Sequence, residues 1–138
     1  MIREFQEGDA EHIRSLLSSL GFPTKCESLV RRARILSDRA EPVLVAAREN
    51  IVIGVLNWHV MQTIHREAPV GRIATMIVDK SCRGQGIGRK LVEEACSRMR
   101  DAGCSLVEVT SNDRLADAHR FYAALGFERT SVRFAKAI

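Results

Sequence analysis

Long apolar runs, paired cysteines and aromatic side chains are all scarce in this sequence. No stretch approaches the run of about 18 apolar residues that a membrane span needs. The start, Met1-Ile2-Arg3-Glu4-Phe5, lacks the basic patch and apolar run of a secretory signal. A cytoplasmic protein with no membrane partner is therefore expected. The four cysteines, Cys26, Cys82, Cys96 and Cys104, form no C-x-x-C pair and do not group with histidines at zinc-finger spacing. They read as reduced thiols, with Cys96 facing a core and Cys82 in an exposed loop, and no metal is expected. Aromatics are 5% of the chain, with one Trp and one Tyr. The net charge of +4 comes from scattered basic residues rather than a stripe. Without stacking platforms or a helix-turn-helix pattern, nucleic acid is not an expected partner. The same charge suits a polyanionic small ligand.

What is present fits one domain, residues 1–138, with 46% apolar and 28% charged residues. Residues 2–5 alternate loosely as a short strand. Ile13, Leu16, Leu17 and Leu20 recur at helical spacing and stop at Gly21. Thr24 and Glu27 have capping-box spacing for a second helix, whose buried stripe would be Leu29, Val30, Ala33 and Leu36. Residues 43–47 and 51–56 read as a hairpin turning at Glu49-Asn50, with the second strand running on towards Met61. Residues 72–78 form a third β-branched run. Ile87, Leu91, Val92, Ala95 and Met99 share one face of a strong helix that Gly103 ends. Residues 106–109 read as a strand. Leu115, Ala118, Tyr122 and Leu125 mark a last helix, and residues 127–134 a final strand. The order is that of a mixed α/β sheet.

The segment Arg83-Gly84-Gln85-Gly86-Ile87-Gly88 between strand and helix is the most informative one. A helix N-terminus leaves amide N–H groups unpaired and carries partial positive charge. Glycines let a phosphate approach that backbone closely, and Arg83, Arg89 and Lys90 add fixed charge. The alternative is a plain strand-to-helix turn, for which one glycine suffices. The dinucleotide fingerprint fails because Arg89 stands where its last glycine belongs. The P-loop fails because Gly88 is followed by Arg89-Lys90-Leu91.

The pattern R-x-x-G-x-G, here Arg83, Gly86 and Gly88, resembles the pyrophosphate-binding signature of the GNAT superfamily of acyl-CoA N-acyltransferases. The resemblance extends to Met76-Ile77-Val78-Asp79, to Ser111-Asn112, and to Ala118-His119-Arg120-Phe121-Tyr122-x-x-x-Gly126-Phe127. Together these motifs lie within residues 72–134. Residues 117–122 and Arg133-Phe134-x-Lys136 look most like small bacterial members such as aminoalkylphosphonate and aminoglycoside N-acetyltransferases.

The resemblance implies a single-domain α/β fold: a mixed, mostly antiparallel sheet of six or seven strands flanked by about four helices. It implies acetyl-CoA as cosubstrate and direct attack of an amine on the thioester. Backbone groups of Met76, Ile77 and Val78 would pair with the pantetheine arm. Arg83, Gly84, Gln85, Gly86, Ile87, Gly88 and Arg89 would hold the pyrophosphate, and an amide N–H near Met76 the oxyanion. Asn112 would contact CoA, though a helix N-cap explains it equally. Tyr122 matches the family's general acid, whereas its place on an apolar stripe also suits a core residue.

The attacking amine must be neutral, so a base or a water chain is needed. Many relatives supply a carboxylate from the central strand, but Arg72, Ala74 and Thr75 occupy those positions here. Glu108, His59, His65 or ordered water remain as candidates. An acyl-CoA-binding module that has lost turnover is the other reading that this gap allows. The acceptor pocket would involve residues 20–30 and 59–71, with Glu27, Trp58, His65 and Glu67 available to line it. A small amine is the expected acceptor, and a homodimer is compatible with the family.

Overall fold

A computed structural model describes residues 1–111 and 115–138. Its elements, in chain order, are β1 (Ile2–Glu4), α1 (Ala10–Ser19), α2 (Cys26–Asp38), β2 (Leu44–Arg48), β3 (Ile51–Met61), β4 (Val70–Val78), α3 (Ile87–Asp101), β5 (Leu106–Val109) and α4 (Ala116–Ala124). Short 3-10 turns precede α1 and follow β4. The strands lie in sequence order in one sheet; β1 to β4 pair antiparallel and β4 to β5 parallel. Among the described residues no helix is long and apolar enough to cross a membrane.

The sheet buries a different core on each face. On one face Leu44, Leu56, Trp58 and Ile73 meet the α3 stripe of Ile87, Leu91, Val92, Ala95 and Met99. Leu91 and Met99 are fully buried, and burying a side chain of this size contributes about 1.5–3 kcal/mol. Two strand glycines let α3 lie this close. A Cβ at Gly54 would stand 3.0 Å from Leu91 Cδ1, and one at Gly71 only 2.3 Å from Met99 Sδ. On the other face Val45, Val55 and Ile77 pack under Ile13 and Leu16 of α1 and Leu29 and Ala33 of α2.

Three expectations need correction. The sheet has five strands among the described residues, not six or seven, because residues 127–134 do not join it. A strand exists only where a neighbour accepts its ladder. β5 pairs β4 over four residues only, and the tail leaves Val132, Phe134 and Ile138 exposed instead. Thr24 does not cap α2: the N-cap is Lys25 in extended conformation, and Thr24 Oγ1 accepts from Arg32 Nη2 at 2.9 Å. Cys82 is buried rather than exposed, because the 3-10 turn after β4 tucks it into the α3-side core. All four thiols are free.

Candidate functional site

Antiparallel pairing fixes which backbone groups of β4 are available. Asp79 N–H donates to the Ile53 carbonyl at 2.8 Å, and Ile77 lies opposite Val55 two residues earlier. Hydrogen-bonded pairs recur every second residue, so Ile77 directs its amide and carbonyl at β3. Met76 and Val78 direct theirs to the opposite edge. On that edge the pairing of β4 with β5 ends at Ile73 opposite Val109. The register with β3 also shifts here, leaving Ala74 as an extra residue between Thr75 and Ile73. The two parallel strands therefore fork, and among the described residues β5 pairs with neither Met76 nor Val78. Of the three residues expected to share this role, Ile77 also contributes its side chain to the core under α1 and α2.

The fork runs into the glycine-rich loop. Gly84 and Gly86 have φ of +78° and +79°, a left-handed conformation that favours glycine. A Cβ at either would meet nothing within 4 Å, so it is the backbone conformation rather than packing that favours glycine here. Gly86 caps α3 with its backbone alone, without a side-chain hydrogen bond. Lys90 N–H, donating to the Gly86 carbonyl at 3.1 Å, makes the first helical bond. The amides of Ile87, Gly88 and Arg89 thus precede the helical ladder and have no intrahelical partner. Arg83 Nε reaches the Val78 carbonyl at 3.4 Å, and Arg48 donates to Gln85 Oε1 at 2.9 Å, which ties the loop to β4 and β2. Arg83 and Arg89 are exposed; Arg89 stands 3.9 Å from Glu93.

Gly88 connects this loop to α4. A Cβ there would sit 3.1 Å from Phe121 Cζ, so the missing side chain admits the Phe121 ring against α3 and Val78. The next residue, Tyr122, is half-buried, with ring contacts to Phe121 at 5.2 Å and Phe127 at 5.6 Å. Burial pushes the phenol above its ordinary value. Asn112 lies outside the described residues.

Glu108 is placed on β5 directly opposite Arg72, and its carboxylate accepts from Arg72 Nη1 at 3.0 Å. Arg72 also donates to Thr110 Oγ1 at 3.3 Å. His59 lies on β3 opposite Arg72, while Trp58, on the other face, donates to the Pro42 carbonyl at 2.8 Å. Trp58 belongs to the core and does not line a pocket. His65 and Glu67 are exposed in the loop between β3 and β4, and Glu27 is exposed on α2. Two residues escape sequence reasoning. Glu41 is buried, with its carboxylate 3.3 Å from His59 Nδ1 and accepting from Val60 N–H. Asn57 Nδ2 is buried without a partner among the described residues. No local pattern marks either, because both acquire their neighbours through strand pairing.

Comparison with known proteins bears on the family. An aminoalkylphosphonate N-acetyltransferase of Salmonella typhimurium is 35% identical over 94 residues, 68% of this chain and 61% of that protein. An uncharacterized N-acetyltransferase of Bacillus subtilis, YhdJ, is 29% identical over 125 residues, 89% of this chain and 87% of that one. Among solved structures, a protein from Bacillus halodurans described as a transcriptional regulator superposes with a TM-score of 0.91. It is 26% identical and covers 100% of this chain and 99% of its own. The model of the acetyltransferase (GNAT) family matches residues 9–127, and the chain belongs to that family.

Proposed function

We propose that the chain transfers the acetyl group of acetyl-CoA to a primary amine of a small-molecule acceptor. The observations that support this reading are the parting of β4 from β5 after Ile73, the left-handed Gly86 that starts α3, and the packing of Phe121, beside Tyr122, against Gly88. Met76 and Val78 supply the backbone edge for the extended pantetheine arm. The loop from Arg83 to Gly88, with Arg89, receives the pyrophosphate through amides and guanidinium groups. The amine attacks the thioester carbonyl carbon through a tetrahedral intermediate, whose oxyanion accepts from the Met76 amide at the fork. Tyr122 donates its phenol proton to the departing thiolate.

The acceptor class rests on the relatives' names, which include an aminoalkylphosphonate, an aminoglycoside and a glucosamine 6-phosphate N-acetyltransferase. Melting with and without acetyl-CoA tests the reading, with NAD and ATP as controls. A ligand at about 100 times its Kd stabilises the fold by roughly 2.7 kcal/mol, so a rise of several degrees is expected with acetyl-CoA and with CoA. No rise with either overturns it. Thiol release with those three classes of amine then tests the acceptor.

A homodimer belongs to the same proposal. β5 is the edge strand of the sheet among the described residues, and residues 127–138 expose Val132, Phe134 and Ile138. Pairing of this tail with β5 of a second copy covers both. Light scattering on the full chain is expected to give twice the 15.4 kDa chain mass. Removal of residues 128–138 is expected to return it to one.

A further inference from the structure

We propose that His59 is the proton acceptor for the incoming amine and that the Glu41 carboxylate holds its ring in the required tautomer. This rests on the acyl-transfer reading and supplies the base that β4 lacks.

Strand alternation places Asn57 and His59 of β3, Thr75 and Arg72 of β4 and Glu108 of β5 on one face of the sheet. It is the face whose other end, Val55 and Ile77, lies under α1 and α2. The polar row sits where the β4 register shifts and where β5 departs, so it borders the fork. The Asn57 amide is a second sign of a ligand. A buried donor left unpaired costs about 1–3 kcal/mol, and an acceptor atom of a bound molecule would satisfy it.

The local reason for Glu41 is also visible. β2 pairs with β3 only as far as Leu44 opposite Leu56, so the β3 edge beyond is open. The Glu41 carboxylate covers that edge by accepting from Val60 N–H, and its other oxygen lies 3.3 Å from His59 Nδ1. A carboxylate only accepts, which assigns the ring hydrogen to Nδ1 and the free lone pair to Nε2. Among the described residues Nε2 has no partner, and the side chain is 31% exposed. The charged groups around the ring are Glu41 from the segment before β2 and Arg72 from β4. Beyond Arg72 stands Glu108. On α1, His12 lies at the far end of β3, at the Val52 amide. Glu108 is held by Arg72, whereas His59 Nε2 is uncommitted, and this decides between them.

In the reaction the ammonium gives one proton to His59 Nε2. The freed nitrogen forms the C–N bond to the thioester carbonyl carbon, and the C–S bond breaks as the intermediate collapses. The thiolate takes the Tyr122 proton, the second nitrogen proton restores the phenol, and His59 releases its proton to solvent.

The test uses the full chain with acetyl-CoA and three probes: 2-aminoethylphosphonate, glucosamine 6-phosphate and an aminoglycoside. With whichever is acetylated, His59→Gln is expected to lower kcat/KM at pH 7 by on the order of 100-fold. The loss should shrink to within about tenfold as pH approaches the amine's own pKa, because a neutral amine needs no base. Glu41→Gln keeps an acceptor for Val60 and removes the charge. It is expected to lower kcat/KM by about tenfold, the low end for a group acting through another, with melting unchanged. A His59→Gln protein that works at the native rate, or loses the same factor at every pH, overturns the proposal. So does a native protein that binds acetyl-CoA and acetylates none of the three. Failure of the acyl-transfer reading is a different result, absence of the acetyl-CoA melting shift in the native protein.

Discussion

Replacing Tyr122 by Phe is expected to lower kcat by about 10²–10⁴-fold while acetyl-CoA affinity stays within about twofold. The change deletes one oxygen and keeps the ring. The edge-on contacts with Phe121 and Phe127 survive, and so does the packing of α4 on Gly88. What disappears is a proton donor. A thiol's ordinary pKa of about 8.5 lies below a phenol's of about 10, so the transfer requires that desolvation around the departing thiolate raise its basicity. Burial pushes Tyr122 further up. The sign follows: the proton is retained throughout the neutral range and is lost only above about pH 10, the ordinary phenol value. On the alkaline side the native rate should therefore fall as the phenol loses its proton. The variant should be slow throughout and lack that fall. A pH profile of kcat with saturating acetyl-CoA reads both features. An unchanged kcat removes Tyr122 from the chemistry and makes its ring a packing element.

What the sequence disclosed and what it hid separate along one physical line, the range of the interaction. The α3 stripe from Ile87 to Met99 follows from a helical period within one segment, and all five residues are buried. The loop from Arg83 to Gly88 is equally local, since glycines at left-handed positions leave a mark in the sequence itself. The packing of Phe121 against Gly88 connects two segments, and it was legible only as two motifs in a familiar order. The row Asn57, His59, Thr75, Arg72 and Glu108 was not legible, because strand register alone assembles it. Glu41 is invisible for the same reason: its partners are 18 and 19 residues away. Residues 127–134 show the converse error. Their aromatic and β-branched residues, Phe127, Thr130, Val132 and Phe134, suit a strand, but such composition expresses a preference for a pleated surface and provides no neighbour.

Gly86→Asp is expected to weaken acetyl-CoA binding by on the order of 100-fold, about 2.7 kcal/mol, with the fold kept. Gly86 combines φ of +79° and ψ of 8° at the N-cap of α3. Asp and Asn enter this left-handed region more readily than other side chains, and a Cβ meets nothing within 4 Å. The backbone cost is therefore about 1 kcal/mol, and melting should fall by only a few degrees. A carboxylate at an N-cap accepts from the amides of the first helical turn. It would take the very N–H groups of Gly88 and Arg89 that the pyrophosphate needs, and add a like charge beside it. Gly86→Asn separates the two effects, since it can cap in the same way without the charge. Calorimetric titration should rank native above Asn and Asn above Asp, with the gap between the variants closing as salt rises. Equal affinity in all three proteins would mean that the anion rests on the guanidinium groups of Arg83 and Arg89 rather than on the α3 amides. The left-handed glycines would then serve only to turn the chain from β4 into α3.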